Sequence, residues 1–216
     1  VGPNMDSLSR ALAAYQYALV SGNSPFDKWY YNGESNAISK SAKRGFDIFS
    51  GKGNCTACHL VNEEYALFTD EKLHNTGIGF KSSMYVEPPR KKVVLAPGIE
   101  VDVDTSVYAN DSAFRDEIMP NDLGLYLITQ DPNDRWKIRT PQLRNVELSG
   151  PYMHNGQLST LKEVVEFYNQ GGVTEVGKMK NETISPLMFP LNLTENEVND
   201  LVEFLKTLTG SNMDTL

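Results

Sequence analysis

The sequence predicts a mainly α-helical domain joined by long loops. Two observations carry that prediction. Apolar residues recur at helical spacing in four segments, and each segment is bounded by capping or breaking residues. Only one region, residues 81–110, shows strand-like alternation. At 216 residues and 40% apolar composition the chain can bury a real core.

The first predicted helix covers residues 5–21, with Leu8, Leu12, Tyr15 and Leu19 on one stripe. Ser21-Gly22-Asn23-Ser24-Pro25 stops it. The second covers 39–50, with Ser39 as N-cap and Ala42, Phe46 and Phe49 on one face. Gly51 and Gly53 end that run. Residues 60–80 read as irregular, turning near Asn75-Thr76-Gly77. Beyond Pro88-Pro89, the turn at Pro97-Gly98 and the alternating Ile99, Val101 and Val103 suggest a small β-hairpin or an extended loop. Ser112–Met119 reads as a short helix ended by Pro120, and Asp131–Asn133 as a turn. Thr160–Gln170 is a helix with Leu161, Val164, Val165 and Tyr168 on one side, stopped by Gly171-Gly172. The last helix runs from about Glu195 to Leu208, capped by Thr194 with Glu197 completing a capping box. No internal repeat or domain boundary is evident, so residues 1–216 are read as a single domain.

The net charge of −8 and the short basic runs, such as Lys91-Lys92, argue against nucleic acid as a partner. An acidic surface suits a small basic redox protein. No run approaches the roughly 20 apolar residues of a membrane span. Val1 opens a polar segment without a signal-peptide pattern.

The chain has two cysteines, three positions apart, so no disulfide framework is available. They lie in Gly53-Asn54-Cys55-Thr56-Ala57-Cys58-His59. Cys-x-x-Cys-His is the attachment signal for one covalent c-type haem. Two thiols on one turn reach two vinyl groups on one edge of a porphyrin, and the next residue places an imidazole under the iron. A redox-active Cys-x-x-Cys would need a strand before it, whereas residues 42–50 read as helix. A structural zinc site needs about four ligands. The remaining histidines, His74 and His154, have no paired spacing. The helices before the motif and at the C-terminus are expected to cross beneath the haem. Covalent haem attachment outside the cytoplasm predicts a periplasmic protein whose leader is absent from this chain.

The segment Arg139-Thr140-Pro141-Gln142-Leu143-Arg144-Asn145-Val146-Glu147-Leu148-Ser149-Gly150-Pro151-Tyr152-Met153-His154-Asn155-Gly156 resembles the bacterial di-haem cytochrome c peroxidases and their MauG-like relatives. So do residues 18–27, 131–135, 160–172 and 193–210. Residues about 81–120 look like a family-variable insertion. The resemblance covers the second, C-terminal haem domain only, which in the family receives or relays electrons. It implies a cytochrome c-like fold, and a second haem domain or subunit as partner.

The resemblance also bears on the far side of the iron. The family's distal ligand, Met in the peroxidases and Tyr in the MauG-like proteins, falls on Tyr168. By spacing alone Tyr168 is a core aromatic. Met179 is the runner-up, and Met188 and Met153 are further rivals. Thioether ligation raises a haem potential, and a hard anionic oxygen lowers it. The resemblance further implies a calcium ion, with Ser149 and Pro151 as carbonyl donors. His74 is assigned to the haem surroundings. His154 is expected to bond a propionate or a backbone carbonyl. Arg144 pairs with a propionate or fixes a loop through carbonyls.

Two functions are weighed. One is a mono-haem electron-transfer unit serving a peroxide-reducing haem elsewhere and a small redox protein, with a homodimer as one arrangement. The other is an enzyme with an open iron site that binds peroxide, for which the sequence offers few acid–base groups. A haem-based sensor is a third, weaker reading.

Overall fold

A computed structural model of the chain describes residues 4–18, 21–84, 90–104 and 123–211. Seven α-helices and three two-stranded antiparallel ladders make up the described residues, so the class is mainly α. The helices are α1 (Met5–Ala18), α2 (Pro25–Tyr30), α3 (Lys40–Ser50), α4 (Ile78–Met84), α5 (Tyr126–Thr129), α6 (Leu161–Asn169) and α7 (Glu195–Lys206). The strands are β1 (Leu73–His74), β2 (Arg90–Ala96), β3 (Ile99–Asp104), β4 (Ile138–Arg139), β5 (Glu175–Val176) and β6 (Met179–Lys180). The chain forms two compact units.

The first unit comprises Val1–Glu71, Thr140–Glu166 and Leu191–Leu216. Its core is the crossing of α3 and α7. At Gly45 the α7 backbone comes so close that an added Cβ would lie 2.0 Å from the Asp200 carbonyl oxygen and 2.7 Å from Phe204 Cβ. Only glycine fits there. Arg44 closes the crossing with a two-pronged ion pair to Asp200, at 2.6 and 2.7 Å. Around it Phe26, Phe49, Phe68 and Phe204 are each at most 2% exposed. Their rings meet at 5.0–6.4 Å, mostly edge-on or tilted, as aromatic quadrupoles prefer.

Helix α2 was not foreseen. Ser24-Pro25 had read as a stop. Instead Ser24 caps α2 by accepting from the Asp27 N–H, Asp27 answers at the Ser24 N–H, and Pro25 occupies the first turn. Helix α1 is described over Met5–Ala18, residues 19–20 lying outside the described residues, and the described part of its apolar stripe is not buried. Leu8, Leu12 and Tyr15 are 50%, 54% and 62% exposed. The C-terminal capping box of Thr194 and Glu197 forms as expected.

The second unit comprises Lys72–Arg139 and Phe167–Pro190. β2 and β3 form the hairpin, in the register Val93 opposite Val101. The helix expected at Ser112–Met119 lies outside the described residues. Buried Asn75 organises this unit: its amide donates to Asn181 Oδ1 at 2.9 Å and Thr183 Oγ1 at 3.0 Å, and its Oδ1 accepts from the Gly77 N–H. Trp136 packs edge-on to Phe80 at 5.0 Å and donates from Nε1 to Ser83. The region 60–80, read as irregular, contains β1 and the start of α4.

Gly45→Ala should cost about 1–3 kcal/mol or more through overpacking, read as a lower urea midpoint. A pH effect also follows. Thr194's backbone N–H and the Lys52 ammonium hold the Glu197 carboxyl down at about 2. A carboxyl depressed by folding adds stability that is complete above its ordinary value of 4.5 and lost as pH falls toward about 2. Melting temperature should therefore drop across that window, and Lys52→Met should make the drop shallower.

Candidate haem-attachment site

The site begins where α3 ends. Gly51 N–H donates to the Asp47 carbonyl and Gly53 N–H to the Ile48 carbonyl at 2.7 Å, folding the chain back under the helix. A side chain at Gly53 would sit 2.8 Å from the Ile48 oxygen and 3.3 Å from Cys55 Sγ. Asn54 then takes a left-handed conformation, φ 49°, and launches a short 3₁₀ turn over Cys55–Ala57. The His59 N–H donates to the Cys55 carbonyl at 2.8 Å. Cys55, Cys58 and His59 are thereby gathered on one compact loop, not on an α-helix.

Cys55 and Cys58 form no disulfide, and both are half-buried. Burial, aided by the neighbouring Cys58, pushes the Cys55 thiol up to about 12. That is the reverse of a redox-active Cys-x-x-Cys, whose nucleophile needs a depressed pKa.

The decisive contact is made by His59. Its Nδ1 lies 2.7 Å from the Phe68 carbonyl oxygen. A carbonyl can only accept, so Nδ1 carries the proton and donates. Nε2 is then the nitrogen with the ligating lone pair. This is the arrangement a metal-bound imidazole needs: orientation fixed, tautomer fixed, basicity raised. Phe49 packs 6.4 Å from the imidazole. Leu60 and Leu67, the chain neighbours of His59 and Phe68, present apolar surface at 41% and 47% exposure. Two thiols, one oriented imidazole and an apolar surround fit a c-type haem.

Sequence reading could not find Phe68, because it acts through a backbone atom. Its φ of 58° is a strained value for an aromatic residue. Arg144 braces it. The Arg144 Nε donates to the Ala66 carbonyl at 2.7 Å, and its guanidinium lies 5.4 Å from the Phe68 ring centre. The two Nη atoms grip Asp27 at 2.7 and 2.8 Å, and Nη1 also reaches Ser24. Burial raises the Asp27 pKa, but hydrogen bonds from Arg144 and Ser24 outweigh it and the net shift is downward. Arg144 is thus a positioning residue, bound to the segment that holds His59.

The other predicted residues lie as follows. Ser149 and Pro151 flank Gly150 on an exposed turn of the first unit. Met153 is half-buried with φ 67°, and His154 is exposed. Tyr168 belongs to the second unit, half-buried at the end of α6, its ring 5.3 Å from that of Phe167. His74 lies on β1, paired with Ile138. Met179 is 47% exposed on β6. Met188 packs against Gly172, where a Cβ would lie 2.7 Å from its Cε.

No family profile matches the chain. It is 38% identical over 212 residues to cytochrome-c peroxidase IdrP1 of Denitromonas iodatirespirans, an alignment spanning 96% of this chain and 50% of that protein. It is 33% identical over 201 residues to methylamine utilization protein MauG of Methylorubrum extorquens, spanning 93% and 43%. Among solved structures, a MauG-like protein associated with microbial copper homeostasis superposes with a TM-score of 0.66 at 27% identity, covering 98% of this chain and 59% of that one. The chain spans about half the length of the curated relatives it matches.

Arg144→Leu should cost about 3–5 kcal/mol, because it leaves the largely buried Asp27 carboxylate without its counter-ion, with only the Ser24 cap to hold it. The double change Arg144→Leu with Asp27→Leu should cost less than the single one in urea unfolding.

Proposed function

We propose that this MauG-like chain, a homologue of the di-haem cytochrome c peroxidases, is a c-type haem electron-transfer unit corresponding to their second haem domain. The observation that carries the reading is the hydrogen bond from His59 Nδ1 to the Phe68 carbonyl. In this reading the chain holds one haem in a cytochrome c-like fold, and residues about 81–120 are an insertion.

A bound haem supplies a one-electron carrier whose potential the axial ligands and their hydrogen bonds set. The chain's residues do the rest. The Cys55 and Cys58 thiols would hold a haem by adding S–H across its two vinyl groups, which gives two thioethers and needs no oxidant. His59 Nε2 would ligate the iron, with the Phe68 carbonyl keeping that imidazole basic. Phe49 would help keep water from the imidazole. Tyr168 would be the second iron ligand, with Met179 as runner-up. His74 belongs to the haem surroundings, and Arg144 acts through Phe68. The carbonyls of Ser149 and Pro151 contribute to a calcium site. The chain passes one electron at a time between a small redox protein and a second haem domain. It is exported to the periplasm, where such haems are attached. Among the described residues no helix is long and apolar enough to cross a membrane.

Expressed with haem-attachment machinery, the chain should gain the mass of one haem, and the haem should survive acid–organic extraction. Cys55→Ala with Cys58→Ala should release it. A chain that emerges without haem overturns the proposal. The Tyr168→Phe variant should lose the wild-type ferric optical and EPR signature. An unchanged spectrum, or a Met-to-iron charge-transfer band in the wild type, removes Tyr168 as ligand.

A further inference from the structure

Helix α1 has the side-chain pattern of a core helix and none of its burial. Setting Tyr15 against Phe204 places Leu12 on Leu201 and Leu19 on Leu208, and each helix is followed by a Ser-Gly or Thr-Gly pair: Ser21-Gly22 and Thr209-Gly210. The one adjustment is the extra residue Val20 before Ser21. Leu201 and Phe204 on α7, and Leu208 just beyond its end, are 3%, 0% and 0% exposed. On α1, Leu12 and Tyr15 are 54% and 62% exposed, and Leu19 lies outside the described residues. Every residue from Asn4 to Gln16 is exposed. The face that α7 lays across α3 is bare on α1.

A helix of 14 residues without tertiary packing is marginal in water, so this face is built to be covered. Three covers compete. A membrane surface wants a basic polar face, but α1 carries one cation, Arg10, already paired with Asp6 at 3.1 Å. A second copy would meet α1 with α1, whereas a stable interface takes about 20–30 residues a side. Each copy also brings a net charge of −8. The third cover is a helix of the α3 kind in another domain. The relatives run to about twice the length matched here, so they contain a half that this chain does not match.

We propose that α1 is the closing helix of a second haem domain, and packs across an α3-like helix of that domain as α7 packs across Gly45. The inference rests on reading the chain as one of a pair of haem domains.

Hydrogen exchange tests it. The haem-loaded chain is compared with a fusion in which it replaces the matching half of the Denitromonas iodatirespirans peroxidase. In the chain alone, α1 amides should exchange near the unprotected rate while α7 amides are protected. In the fusion, α1 exchange should slow by at least about tenfold. Leu12→Asp with Tyr15→Asp should abolish that slowing and leave α7 unchanged. Equal α1 exchange in chain and fusion overturns the proposal. Protection in the chain alone that grows with protein concentration assigns the face to a second copy and also overturns it. So does protection by anionic lipid vesicles. The haem spectrum of the chain reports the functional reading separately, since neither substitution touches the haem loop.

Discussion

Helices α3 and α7 meet at a point where one hydrogen atom is all the space allows. The approach at Gly45 lets the Asp200 backbone lie against α3, and the rest of the first unit is arranged around that contact. It brings Phe204 into the aromatic cluster, and it anchors the helix that Gly51 and Gly53 then end. Cys55 follows α3 after four residues, so the crossing sets the position of the thiols and of His59. Arg44 and Asp200 hold the contact from the rim, but with the arginine end largely exposed they contribute less than the packing does.

A second layer of control runs through Arg144. It joins the Ser24 cap, Asp27 and the Ala66–Phe68 segment into one connected set. The loop that grips His59 is therefore tied to the start of α2, more than a hundred residues away in sequence from the arginine that ties it. The charge on Arg144 is matched inside the fold, at Asp27, rather than at the surface.

The parts of this protein legible in its sequence are those whose cause is local. The periodicity of α3, α6 and α7 and the box of Thr194 and Glu197 need only a few neighbouring residues, and the Cys-x-x-Cys-His spacing marks the candidate site by itself. The parts not legible have distant or backbone causes. Ser24-Pro25 carries both a stop and a start signal, and the Arg144 contact to Ser24 and Asp27 accompanies the start. β1 exists only because Ile138 and Arg139 come to meet it. The Phe68 carbonyl has no side-chain signature at all. Helix α1 shows the opposite limit: its stripe is plain in the sequence, but periodicity says that a face is apolar, not which surface covers it.

The backbone of Phe68 has one more consequence. Its left-handed φ aims a carbonyl at an imidazole while its ring is sealed among Phe26, Phe49 and Phe204. Glycine would adopt that backbone with ease but would empty the ring's place in the core, and a bulkier ring would displace the carbonyl. Packing volume and the donor strength of His59 are thus set by one residue and cannot drift independently. Over evolutionary time, the electronic character of that imidazole is inherited along with the shape of the hydrophobic interior.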